Sequence, residues 1–236
     1  MGLLTEFGEL FLPRRCAGCG REDVSLCTAC LKLLGGIPRA MEPRYGQIPV
    51  VGVSEYSSQV SHMVVNFKDN GRRDILDPLA LALARSITAA LELAHHSGGP
   101  VRLFPAPSSA QARRRRGGSH TAVLARRAAE LVPELSLEVV DVLLTRRHHD
   151  QVGLGAHARQ RNVARSQYLE PRASDSISPA GGGESGADIL VDDFSTTGAT
   201  LAESARVLAS VQIRPAAGAV LGLGRGGTRF VSPFTV

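Results

Sequence analysis

Ile189-Leu190-Val191-Asp192-Asp193-Phe194-Ser195-Thr196-Thr197-Gly198-Ala199-Thr200 is the stretch whose reading decides the fold. Three apolar residues in succession suit a strand buried on both faces, as in a parallel sheet. That strand delivers two adjacent carboxylates to its open end. Residues 195–200 then offer four hydroxyls, from Ser195, Thr196, Thr197 and Thr200, together with backbone N–H groups. Gly198 lets the chain come close to a ligand, and Ala199 leads into a helix whose positive end faces the same place. The segment reads as a cradle for one phosphate group. Two carboxylates beside such a cradle look electrostatically wrong, and the oddity is informative. Ionised Asp accepts hydrogen bonds, and the vicinal hydroxyls of a ribose are good donors to it. A sugar carrying a 5-phosphate would set its hydroxyls over Asp192 and Asp193 while the cradle holds the phosphate. Loss of a leaving group from C1 would build oxocarbenium-like charge, which nearby carboxylates stabilise. The plainer alternative is a helix cap that binds nothing, and so dense a set of acids and hydroxyls speaks against it.

Outward from this stretch, the apolar pattern predicts strands near 50–53, 101–104, 137–144 and 216–223. Helices are predicted near 58–67, 77–94, 119–132 and 201–208. Strands alternating with helices predict an α/β fold, a parallel sheet flanked by helices, with ligands gathering at the carboxyl ends of the strands. Residues 173–187 (ASDSISPAGGGESGA) are of low complexity and predict a mobile insert.

Near the N-terminus, Cys16-Ala17-Gly18-Cys19 and Cys27-Thr28-Ala29-Cys30 form two C-x2-C knuckles separated by seven residues. Four thiolates at about 2.3 Å complete a closed tetrahedral Zn2+ site, structural because no position is left open. A disulfide pair or a redox C-x-x-C is the alternative; the absence of an export signal favours zinc. The metal would hold this small segment folded. Before it, Leu3, Phe7, Leu10 and Phe11 mark one face of an amphipathic helix. After it, residues 35–49 read as a linker, so a unit over 1–47 precedes a main domain over 48–236.

Charge is unevenly spread. Residues 102–165 carry twelve Lys/Arg against five Asp/Glu, whereas the flanking regions are neutral or slightly acidic. Of 27 basic residues only Lys32 and Lys68 are lysine, and guanidinium forks suit phosphate oxygens. Pro105-Ala106-Pro107-Ser108-Ser109 leaves a predicted strand as a turn whose serines can bond an anion. Arg113–116 follow at once, with one or two of them predicted to reach a pyrophosphate and the others solvated. Arg146, Arg147, His148, His149 and Gln151 form a second polar loop, a candidate lid. Lys68 is a further candidate to point at the ligand. No run of 18 apolar residues occurs, so no membrane span is predicted, and the absence of a leader pattern predicts a cytoplasmic location.

The central stretch resembles the phosphoribosyl pyrophosphate (PRPP) binding motif of type I phosphoribosyltransferases. The chain as a whole resembles their competence protein F (ComF) branch, associated with DNA uptake in bacteria. The likeness is carried by the cysteine knuckles, by Phe67-Lys68-Asp69-Asn70-Gly71-Arg72 and by Phe104-Pro105-Ala106-Pro107-Ser108. It continues through Arg113 to Arg116 with Gly117-Gly118, through Leu144-Thr145-Arg146-Arg147 to Gln151, and through Arg161-Asn162 to the Asp192-Asp193 motif. The resemblance implies a type I phosphoribosyltransferase fold over 48–236, with Asp192 and Asp193 on the ribose and residues 195–200 on the 5-phosphate. It places Pro107 and Ser108 near a pyrophosphate carrying Mg2+. It implies transfer of a phosphoribosyl group to a nitrogen acceptor, with single-stranded DNA or competence proteins as partners. A non-enzymatic DNA-processing partner built on the same scaffold is the competing expectation. Phe194 departs from the family, whose members more often carry an aliphatic residue there.

Overall fold

The computed structural model describes residues 14–146, 166–171, 177, 186–224 and 229–231, without the side chains of 110, 112, 116 and 229–231. Helix α1 (Thr28–Leu34) is followed by strands β1 (Arg39–Glu42) and β2 (Val50–Glu55) and by helices α2 (Ser58–Asp69) and α3 (Leu76–Leu93). Strand β3 (Val101–Pro105), helices α4 (Ala110–Arg116) and α5 (His120–Leu131), and strands β4 (Leu137–Val139) and β5 (Leu143–Thr145) come next. Strands β6 (Gln167–Leu169) and β7 (Ala187–Ser195), helix α6 (Ala199–Ala209), and strands β8 (Ala217–Leu223) and β9 (Arg229–Val231) complete the order.

The main sheet runs β4-β3-β7-β8-β2-β1-β9. From β4 to β2 every pairing is parallel, and β1 and β9 close one edge antiparallel, so the sheet is mixed. Side chains of β7 alternate between two buried layers, as a strand covered on both faces requires. Ile189 and Val191 join Leu79, Leu83 and Ile87 of α3 and Leu124 of α5. Leu190 faces the other way, with Leu201, Val207 and Leu208 of α6. Register is fixed within this stack by a charge pair: Arg102 of β3 donates to Asp188 of β7 at 2.7 and 2.9 Å, directly across the ladder. The fold is thus α/β with a predominantly parallel sheet between helices.

Two sequence expectations change. Residues 35–49 are not wholly linker, because Arg39–Glu42 form β1 and pair with Val50, Val51 and Gly52. The strand expected over 137–144 is two strands: Val140 N–H donates to Leu103 O at 2.9 Å, the chain turns, and β5 leaves to pair antiparallel with β6. The arginine run, which the sequence assigned to no element, lies on helix α4. The amphipathic segment around Leu3, Phe7, Leu10 and Phe11 lies outside the described residues, as does most of the insert at 173–187. No helix among the described residues is long and apolar enough to cross a membrane.

The cysteine knuckles share this core. Cys16, Ala17, Cys27 and Cys30 are buried in the same cluster as Met63 and Phe67 of α2. Asn66 Nδ2 donates to Ala17 O at 2.8 Å, and Arg72 donates to Arg15 O at 2.8 Å while its fork is held by Asp74.

Candidate functional site

At the carboxyl end of β7 the two acids turn back on their own backbone. Asp193 N–H donates to Asp192 Oδ1 at 2.8 Å, and Phe194 N–H donates to Asp193 Oδ1 at 2.8 Å. The second oxygen of Asp193 faces two cationic or polar groups from elsewhere. Lys68 Nζ of α2 lies 3.5 Å from Oδ2, and His120 Nε2 at the start of α5 lies 3.4 Å from it. Ser108, on the turn after β3, completes the line with its hydroxyl 3.1 Å from His120 Nδ1. Four segments distant in sequence therefore meet at one sheet end, the place where parallel sheets gather ligands.

The electrostatics divide the acids. Burial pushes the Asp192 carboxyl well above the ordinary carboxylate range, and the neighbouring Asp193 charge adds to it. Burial acts the same way on Asp193, but the His120 hydrogen bond and the Lys68 charge outweigh it and hold that group down at about 2. The two acids are thus unequal, Asp192 driven toward its protonated, donating form and Asp193 toward its ionised, accepting one. Beside them, α6 opens without a side-chain cap on its N-terminal N–H groups, and the hydroxyl of Ser195 is buried with no partner among the described residues.

Gly198 has a use the sequence did not indicate. Its φ is +80°, and a Cβ there would lie 2.3 Å from Pro43 Cβ and 2.7 Å from Tyr45 O. Tyr45 N–H also donates to Thr197 O at 3.0 Å. The close approach is to the 43–45 segment, which lies over the 197–198 turn. Thr196 is exposed and Thr197, Ala199 and Thr200 half-buried. From the other side, Gln167 Nε2 of β6 donates to Thr200 O at 3.1 Å, and Gln167 Oε1 accepts from Ser204 Oγ at 2.6 Å. Phe194 packs edge-on to Tyr56 at 5.0 Å and covers Gly222.

The basic middle is more tied down than its composition suggests. Arg113 donates to both oxygens of Asp141 at 3.0 and 3.3 Å, and Arg115 pairs with Asp69 at 2.6 Å. Ser108, Arg113, Arg114, Leu144, Thr145 and Tyr168 line a cavity of about 230 Å³ between the β3 turn and the β5–β6 hairpin. Arg146 is exposed and lies over the Tyr168 ring at 5.7 Å. Pro107 is half-buried in the turn. The Arg116 side chain, Arg147, His148, His149 and Gln151 lie outside the described atoms. His120 was missed by sequence reasoning: a single histidine after Ser119 carries no pattern until the fold sets Asp193 beside it.

The thiols form a separate cluster. The ligand atoms of Cys16, Cys19, Cys27 and Cys30 all lie within 4.8 Å of one another, none is in a disulfide, and Cys19 and Cys27 Sγ are 3.6 Å apart. Tetrahedral zinc sets its sulfurs about 3.8 Å apart, so the quartet fits the ion. Burial pushes the Cys16 thiol up, yet N–H groups of Cys19, Cys27 and Gly18 bring it down to about 6. The Cys30 N–H lowers Cys27, whereas burial raises Cys30. A Cβ on Gly18 would lie 2.7 Å from Cys30 Sγ, so the first knuckle needs glycine there.

No protein-family model matches the chain. Over 201 residues, 82% of this chain and 82% of the other, it is 30% identical to the DNA utilization protein YhgH of Salmonella typhi. The chain belongs to the YhgH family. The likeness to YhgH spans most of both chains, so it extends beyond any single motif described above.

Proposed function

We propose that this YhgH-family protein binds PRPP, or a closely related phosphorylated ribose, at the ends of β3 and β7 and serves DNA uptake or utilization. The observation that carries the reading is the unequal Asp192–Asp193 pair beside the start of α6, which has no side-chain cap, and the Ser195 hydroxyl, which has no partner among the described residues. In this reading Asp192 and Asp193 take the ribose hydroxyls and residues 195–200, with Gly198 and Ala199 in their turn, surround the 5-phosphate. Pro107, Ser108 and Arg113 serve the pyrophosphate with Lys68 and Arg146 beside them; the resemblance adds Arg116 and Gln151, whose side chains lie outside the described atoms. In this reading Mg2+ arrives bound to the ligand's own oxygens. Catalysis would break the C1–O bond with its electron pair leaving on pyrophosphate, form a bond from C1 to an acceptor nitrogen, and release that nitrogen's proton.

Ligand-induced stabilisation tests this. At 100 Kd of PRPP with Mg2+, the protein should gain about 2.7 kcal/mol, and Asp193→Asn should remove most of the gain. An unchanged melting temperature overturns the reading.

A second reading, a DNA-binding partner without transferase activity, is favoured by the relative's name and by the exposed Arg114 and Arg146. An interface of several Arg–phosphate contacts loses affinity steeply between low and moderate salt. The scarcity of aromatic residues, ten with no Trp, argues against base stacking as its basis.

A further inference from the structure

The line Ser108–His120–Asp193 sets a chemical condition on anion binding. Asp193 is an acceptor, so His120 must present an N–H at Nε2 to make its contact at 3.4 Å. The other ring nitrogen then decides what Ser108 can do across 3.1 Å. With a neutral ring, Nδ1 is an acceptor, the Ser108 hydroxyl donates to it, and only lone pairs remain for a ligand. With a protonated ring, Nδ1–H donates to Ser108 Oγ, and the hydroxyl proton is released toward whatever lies beyond. An anion there selects the second arrangement.

We propose that His120 is a positioning residue that orients the Ser108 hydroxyl, so that binding of a pyrophosphate-like anion at the β3 turn is coupled to proton uptake by His120. The inference rests on the proposed reading of that turn as the anion site. The ring meets Asp193 of β7, Ser108 of the β3 turn and Thr121 beside it in α5, and Asp193 in turn meets Lys68 of α2. An arriving anion favours the positive ring. The coupling should be about fivefold, the ratio between a hydrogen bond to a charged donor and one to a neutral partner.

The direct measurement is 15N NMR of labelled imidazoles in the full chain, titrated from pH 6 to 8.5 with and without saturating inorganic pyrophosphate, His120→Gln providing the assignment. The midpoint of the His120 titration should rise by about 0.7 pH unit, the reciprocal of a fivefold coupling. In Ser108→Ala that rise should vanish while the free-protein titration remains. Should His120→Gln fail to fold, His120→Asn gives the same assignment. A His120 midpoint unmoved by pyrophosphate that demonstrably binds overturns the inference and leaves the anion site standing. A wild-type protein that binds no pyrophosphate at any pH overturns the anion site and the inference together.

Discussion

Lys68 and Asp193 are 125 residues apart in sequence, yet the Lys68 ammonium lies 3.5 Å from Asp193 Oδ2, carried there from the last turn of α2. Two residues earlier, Asn66 of the same helix holds the carbonyl of Ala17 inside the first cysteine knuckle. One helix thus touches the thiol cluster and the acid pair at once.

The charge of Lys68 should be visible in acid stability. Asp193 is depressed to about 2, so its contribution is fully present above about pH 4 and is lost as pH falls through 2. Lys68→Met weakens the depression. Urea unfolding should show a loss of about 1 kcal/mol at pH 7 that shrinks toward zero as pH approaches 2. An equal loss at pH 7 and pH 2 would assign the effect to packing of the lysine stem.

Asp192 carries the opposite sign. Its raised carboxyl keeps a proton that the unfolded chain gives up above about pH 4, so holding it costs stability increasingly as pH rises. Asp192→Asn retains the Oδ1 acceptor for the Asp193 N–H. The variant should be more stable than wild type by about 1 kcal/mol at pH 7, show no gain at pH 3, and lose PRPP-induced stabilisation. Thermal melts at both pH values, with and without ligand, check all three.

The thiol cluster should bind one zinc per chain, measurable by elemental analysis of protein purified without chelator. Protons compete with the metal for thiolates, so affinity should fall as pH drops through the Cys16 value of about 6. Cys16→Ser and Cys30→Ser should each lose the ion. Because α2 joins the knuckle to Lys68, zinc removal should also weaken PRPP binding, and unchanged binding in the metal-free protein would break that link.

Gly198→Ala tests the cover over the 197–198 turn. The new Cβ combines a left-handed backbone with contact against Pro43 and the Tyr45 carbonyl. A loss of about 2 to 4 kcal/mol in urea unfolding is expected. A variant of wild-type stability would show that the 43–45 segment does not rest there in solution.

Local chemistry explains how much of this could be read beforehand. The run 189–200 carries its strand, acids, hydroxyls and glycine within twelve residues, and the cysteine spacing carries its cluster. Buried strands announced themselves through unbroken apolar runs. Strand β1 did not: Arg39–Glu42 is short and polar at both ends, and its membership depends on Val50–Gly52 offering a partner. Arg113 looked free because Asp141, which holds it, is 28 residues away. The site as a line of contacts was out of reach for the same reason, since Ser108, His120, Lys68 and Asp193 meet only through the order of strands.

That order has a consequence for biosynthesis. Within the main sheet, β2 is tied to the β3–β4 half only through β7 and β8, which are translated after both. A nascent chain that has not yet emitted residues 187–223 therefore exposes two unsatisfied sheet edges, vulnerable to misassociation. The acid-bearing strand is the wedge that joins them, so a ribosome-bound intermediate cannot present a finished pocket. Chaperone engagement just before this wedge would shield both edges until it is made.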